Sequence, residues 1–154
     1  MIDPTVRPAD TPDEADLDQL EEAARAGLVE VRGGPRLLEL VPPRRGRWFG
    51  DGVETLVAVL DGWCVGYLVG LPGDIWVVES VYVMPEAREL GFGDELLATA
   101  IASARRAGAV RLEATALPGD RETKNLYERA GVTAKAITVA LELSDPSTGA
   151  PASR

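Results

Sequence analysis

The chain has 154 residues, 45% of them hydrophobic, which suits one domain with a real core, and it has no apolar run long enough to span a membrane. Against 16 basic residues stand 25 acidic ones, a formal net charge of -9 that argues against gripping a DNA or RNA backbone as a main role. Histidine is absent, which removes the commonest general base, the commonest zinc ligand and every Ser-His-Asp or Cys-His arrangement. No metal site is expected. The single cysteine, Cys64, excludes an internal disulfide framework and points to a reducing, cytoplasmic setting. The polar, acidic start MIDPTVRPADTPDEAD does not read as a secretory or transit signal.

In chain order, TVRPAD reads as a short first strand. Thr11 fits a helix N-cap, with Pro12 as the first helical residue and Glu14 as the reciprocal capping partner. Leu17, Leu20 and Ala24 then form an apolar stripe, and Gly27 ends the helix. LVEV and LLELV, separated by RGGPR, predict a hairpin across Leu28 to Val41. The loop PPRRGRWFGDG holds Arg44, Arg45 and Arg47 beside Trp48. It reads as a solvated charged loop around one packed tryptophan, with a grip on a nucleotide phosphate or a single strand as the other reading. ETLVAVL and WCVGYLVG, joined at Asp61-Gly62, form a second and clearer hairpin. IWVVESVYV is the next strand. A helix from Asp94 to Ala107, a strand VRLEATA, a short helix around ETKNLYERA and a last strand AITVALEL follow. Strand, glycine turn, helix, strand is a βαβ unit with parallel strands. With the upstream hairpins this gives a single mixed sheet with helices on its faces, a domain over residues 1–143, and a disordered Ser, Pro, Gly and Ala tail over 144–154.

The stretch MPEARELGFGDELL carries the chemistry. Glycines between a strand and a helix N-terminus let backbone amides approach an anion, and Arg88 adds a positive side chain, so a phosphate or pyrophosphate site is expected. It lacks the third glycine of the dinucleotide fingerprint and the Gly-Lys-Ser/Thr of a P-loop.

VYVMPEARELGFGDELL resembles motif A of the GNAT family of N-acetyltransferases, with Arg88, Gly91 and Gly93 at its marked positions. NLYERAG resembles the family's motif B, matching at Asn125, Tyr127 and Gly131, and TVRPADTPDEAD and VAVLDGWCVGYLVG resemble its usual start and central hairpin. The resemblance covers roughly Val6 to Leu143. It implies the GNAT fold: a mixed, mostly antiparallel sheet whose central parallel strands splay apart, with helices on both faces and acetyl-CoA wedged in the splay. It further implies that backbone amides of Arg88, Glu89, Leu90, Gly91, Phe92, Gly93 and Asp94 hold the pyrophosphate. Main-chain groups of Tyr82 and Val83 would pair with the pantetheine arm, and Asn125 would contact the pantetheine region. Glu89 and Asp94 place carboxylates where the family more often has Gly, Lys, Arg or Ser.

The implied reaction is direct transfer of an acetyl group to a primary amine, on a small molecule or on a peptide or protein. By the resemblance Tyr127 is the tyrosine that protonates the departing sulfur; a packed aromatic beside Leu126 is its plain alternative. In IWVVESVYV, strict alternation places Ile75, Val77, Glu79, Val81 and Val83 on one face, with Tyr82 on the other. A carboxylate alone on an apolar face suits a general base drawing the amine proton. A structural hydrogen bond or a β-bulge that turns Glu79 outward are the alternatives. The competing function is a non-catalytic acyl-CoA-binding or regulatory module on the same fold. Neither nucleic acid nor membrane is an expected partner, and family habit makes a homodimer through a sheet edge or the last strand an open expectation.

Overall fold

A computed structural model describes residues 5–144, so the expected tail lies, past Ser144, outside the described residues. Five strands form one sheet: β1 (Thr5–Pro8), β2 (Glu54–Leu60), β3 (Trp63–Leu71), β4 (Ile75–Val83) and β5 (Arg111–Ala114), in the spatial order β1-β2-β3-β4-β5. The first three pairings are antiparallel and β4–β5 is parallel, as the βαβ reading requires. Among the described residues four α-helices accompany it: α1 (Glu14–Leu28), α2 (Gly34–Leu40), α3 (Phe92–Arg106) and α4 (Arg121–Arg129). None of the helices among the described residues is long and apolar enough to cross a membrane.

The two faces of the sheet bury separate cores. On one, Phe92, Leu96, Leu97 and Ala100 of α3 pack on Leu56, Ala58, Leu68, Trp76 and Val78. On the other, Leu17 and Leu20 of α1 pack with Trp48 on Val57, Tyr67 and Val69. Alternation along β2 and β3 sends consecutive residues to opposite cores, which is why both strands are apolar on both faces. Cys64 packs at the margin of the α1 core and donates to Asp13 Oδ1 at 3.6 Å; burial pushes its thiol up to about 12.

Three sequence expectations are corrected here. Asp10, not Thr11, caps the entry to α1. Its side chain accepts from the Thr11 amide at 2.8 Å while Asp13 accepts from the Asp10 amide at 2.8 Å, closing a capping box one residue early. Leu28 to Val41 holds no hairpin. Gly33, at φ 88°, turns the chain from α1 straight into α2, and Pro35 suits the first turn of a helix rather than a strand ladder. Gly34 is packed so closely on the Leu28 carbonyl that a Cβ would overlap it. Arg25 of α1 then caps α2, donating to the carbonyls of Val41 (2.7 Å) and Leu38 (3.3 Å).

The last strand does not form either. Residues 133–144 take no regular structure and are exposed, although the alternation that suggested a strand is real. Alternation supplies one apolar face; a strand also needs an edge to pair with and a core to cover that face. Without this strand, β5 is the last strand of the sheet.

Two substitutions test this architecture. A Cβ built on Gly70 would overlap the outer edge of the indole ring of the fully buried Trp76, at Cη2. Gly70→Ala should therefore cost at least about 1–3 kcal/mol, read from the urea unfolding midpoint. Asp13 is held below the ordinary aspartate value of 3.8, first by its hydrogen bonds from the Arg7 guanidinium at 2.7 and 2.9 Å, with burial opposing. Because the folded value is depressed, its stabilisation is complete above pH 3.8 and is lost as the pH falls through the folded value. Asp13→Asn should lower stability by about 1 kcal/mol at neutral pH, Arg7 being half exposed, and the gap to the native chain should close in acid.

Candidate functional site

The site begins where β4 and β5 part. Their pairing runs only from Ile75↔Arg111 to Val78↔Ala114, whereas β4 continues to Val83 with β3 on one side and no strand on the other. The parting coincides with a β-bulge. Val69 pairs with Ser80 and the next residue, Gly70, with Val78, so Glu79 has no residue opposite it. A bulge bends its strand and turns it away from a straight neighbour.

The bulge also corrects the expected faces. Trp76 and Val78 before it, and Val81 and Val83 after it, all lie with the α3 core, while Tyr82 lies with the α1 core. Strict alternation from Ile75 to Val83 therefore fails at Glu79. Instead of standing alone on an apolar face, Glu79 meets Arg44, and Tyr82, expected opposite it, packs on the α1 side. Arg44 Nε donates to Glu79 Oε2 at 2.8 Å and its Nη2 lies 2.8 Å from the same oxygen; the two side chains are 15% and 23% exposed.

Arg44 is fixed from several directions. Its main-chain amide donates to both carboxylate oxygens of Glu21 on α1 at 2.9 Å, and Nη1 donates to the Arg47 carbonyl at 2.7 Å. Asp18 of α1 accepts from the Gly46 amide (3.0 Å) and from Trp48 Nε1 (2.7 Å). The arginine loop is thus strapped across α1 and β4 by carboxylates. Trp48 packs as expected, but Arg44 is not a solvated charge.

Beside the open edge of β4, the chain enters α3 through Glu89 at φ 68° and the N-cap Gly91 at φ 89°, a backbone conformation that favours glycine. Among the described residues the amides of Glu89, Leu90, Gly91, Phe92, Gly93 and Asp94 donate to no backbone carbonyl. Free amides at the positive end of a helix dipole favour an anion. At Gly93 the two sequence motifs meet: a Cβ there would lie 3.4 Å from Leu126 Cδ2 of α4 and 3.9 Å from Val83 Cγ2 of β4.

Arg88 takes a different part from the one its position suggests. Its Nε donates to the Val83 carbonyl at 2.8 Å, its guanidinium lies 5.7 Å from the Tyr82 ring centroid, and it pairs with Glu122 of α4 at 3.0 Å. It ties the end of β4 to α4 rather than standing free beside the amides. Burial raises the Tyr82 phenol, with the Arg88 charge opposing. The Asp94 carboxylate is answered by Arg129, 3.0 Å away. Asp94, Arg105, Arg129, Ala98, Ile101 and Ala130 line a cavity of 470 Å³ along α3 and the end of α4. Arg105 and Arg129 were not singled out from the sequence; Arg129, four residues after Asn125 and so on the same helix face, was the available signal.

Tyr127 is buried on α4, 5% exposed, while Asn125 is exposed on the same helix. Burial raises the Tyr127 phenol well above its ordinary 10.0, and the negative charge of Asp120 adds to it. The hydroxyl is thus held protonated at neutral pH, the state a proton donor requires.

Residues 17–132 match the sequence model of the Acetyltransferase (GNAT) family. The chain belongs to the GNAT acetyltransferase family. No curated protein is a significant match by sequence. Similar solved structures include a ribosomal-protein-alanine N-acetyltransferase from Brucella melitensis, at TM-score 0.68 and 18% identity over 94% of this chain and 100% of that one. An aminoglycoside N-acetyltransferase in complex with CoA gives TM-score 0.68 and 12% identity over 92% and 100%. A transcriptional regulator from Bacillus halodurans gives 0.67 and 21% over 92% and 100%. At these identities the likeness concerns the GNAT fold, with its parallel pair and flanking helices.

The strap predicts a stability effect. Arg44→Met removes the guanidinium from Glu79 and from the Arg47 carbonyl and leaves the main-chain bond to Glu21. The expected loss is about 1.5–3 kcal/mol by urea unfolding, with faster amide exchange across residues 43–47.

Proposed function

We propose that this GNAT protein is an acetyl-CoA-dependent N-acetyltransferase that transfers an acetyl group directly to a primary amine. The observation that supports it best is the opening at Val78: the unpaired edge of β4 runs from Glu79 to Val83 toward the free amides ahead of α3. An extended thioester arm could pair along that edge as a strand would, and a diphosphate could sit on amides that have no backbone acceptor. These residues fit such a cosubstrate. Its thioester supplies an activated acyl group.

The chain's own residues take the remaining roles. Glu79 receives the amine proton at Oε1, since both Arg44 contacts fall on Oε2. The amine nitrogen bonds to the acyl carbon, a main-chain amide on the open edge of β4 steadies the oxyanion, and the carbon–sulfur bond breaks. Tyr127 gives its proton to the departing sulfur. Asn125 and the main chain of Tyr82 and Val83 hold the arm, and the free amides of residues 89–94 hold the diphosphate; the Arg88 amide is already given to the Pro85 carbonyl at 3.3 Å. The acceptor is an amine on a small molecule or on a peptide or protein, the classes named for two structural neighbours. The lone Cys64 suits a cytoplasmic setting.

Calorimetric titration with acetyl-CoA, and with NAD in parallel, tests the cosubstrate. Micromolar binding of the first and none of the second is expected; no binding of acetyl-CoA would remove the reading. Tyr127→Phe should keep that binding and lower turnover on an amine panel by about 10²-fold or more. A protein that binds acetyl-CoA and turns over no amine, with Tyr127→Phe indistinguishable from the native chain, would be the binding module instead.

A further inference from the structure

Glu79 sits where the cleft opens, yet its charge is already answered. Arg44 Nε and Nη2 both lie 2.8 Å from Oε2, which leaves Oε1 outside both contacts. The guanidinium is not free to swing away. Its Nη1 donates to the Arg47 carbonyl at 2.7 Å, and the Arg44 amide donates to Glu21 at 2.9 Å. Arg47 braces the loop in return, donating from Nε to the Arg44 carbonyl at 3.0 Å and from Nη2 to the Pro43 carbonyl at 2.9 Å. Glu79 therefore faces a fixed cation.

The surrounding groups leave this pair balanced. From α1, Glu21 is committed to the Arg44 amide, Asp18 to the Gly46 amide and Trp48, and Arg25 to the carbonyls that end α2. From the strands, Tyr67 and Tyr82 face the α1 side with phenols that burial raises above their ordinary 10.0, so both are neutral at neutral pH. A lone carboxylate here would draw an alkylammonium ion and hold it charged. A carboxylate joined to a guanidinium has no net charge to offer, and the guanidinium repels a second cation brought to the free oxygen.

The amine must then arrive neutral. Its lone pair bonds to the acyl carbon as the carbon–sulfur bond breaks. The proton shed by nitrogen goes to Glu79 Oε1, and Tyr127 supplies one to the sulfur. An alkylamine of pKa ~10.4 is neutral in only about one molecule in 2,500 at pH 7, an amine of pKa ~7.7 in about one in six. We propose that Arg44 makes this site selective for weakly basic primary amines, those with an electron-withdrawing neighbour, over simple alkylamines. Arg44 is thus a positioning residue that acts through Glu79 and sets the acceptor class. The inference rests on the transferase reading, with Glu79 as its base.

Ethylamine, 2-fluoroethylamine and 2,2-difluoroethylamine test it, because each fluorine lowers basicity with little change in size. They are added to the amine panel, and kcat/KM for total amine is measured at pH 7 with the native chain, Arg44→Met and Arg44→Lys. Only ratios between amines within one preparation are compared, so any fraction lost to unfolding cancels. In the native chain the difluoro compound should exceed ethylamine by about 10²-fold or more, following the neutral fractions. Arg44→Met should compress that ratio at least about tenfold, since the unpaired carboxylate can then hold an ammonium ion. Arg44→Lys keeps the charge and should preserve most of the ratio. A preference for ethylamine, turnover confined to the strongly basic amines of the panel, or a ratio unmoved by Arg44→Met would overturn this inference and leave the transferase reading in place. A chain that binds no acetyl-CoA, or binds it and turns over no amine, would remove both.

Discussion

The backbone of β4 has two edges and a partner strand for only one of them beyond Val78. A peptide edge that is neither paired nor freely hydrated is costly, so the stretch Glu79–Val83 must meet water or a ligand able to imitate a strand. The other parts of the site are arranged around this vacancy. The α3 entry places unpaired amides beyond its far end, Arg88 binds the last carbonyl, and α4 approaches closely at Gly93. The cleft is therefore a backbone feature first. Side chains refine it.

Electrostatics divide this acidic molecule into spent and available charge. Asp13, Asp18 and Glu21 accept hydrogen bonds that fix α1 and its entry to β1 and to the arginine loop, and Glu79 accepts one that ties that loop to β4. Partly buried carboxylates of this kind contribute more than exposed pairs such as Arg111 with Glu113, which sit in water on both sides. Near the helix entry the balance differs. Asp94 would repel an anion, but Arg129 lies against it and Arg105 stands along the same cavity.

Much of this was legible in the sequence, for identifiable reasons. Long amphipathic stripes gave α1 and α3, the Asp61-Gly62 turn gave the β2–β3 hairpin, and the order of glycine turn, helix and strand gave the parallel pair. The two motifs were read as parts of one site, and the contacts at Gly93 bring them together. What failed was local information without its tertiary partner. RGGPR contains turn residues for a hairpin or for two helices, and the packing of Gly34 on Leu28 decides between them. The last segment has the right alternation and no partner strand among the described residues. The Arg44–Glu79 contact joins residues 35 positions apart, across a strap whose carboxylate anchors no spacing rule could list.

The bulge at Glu79 has a consequence for the length of β4. On either side of it the inward and outward sequence is continuous: Val78 inward, Ser80 and Tyr82 toward α1, Val81 and Val83 inward again. Excising Glu79 would leave every remaining residue on its present face and would straighten the strand. The bulge thus lengthens β4 by one residue, just where β5 ends, without changing the face that any other residue presents to the two cores.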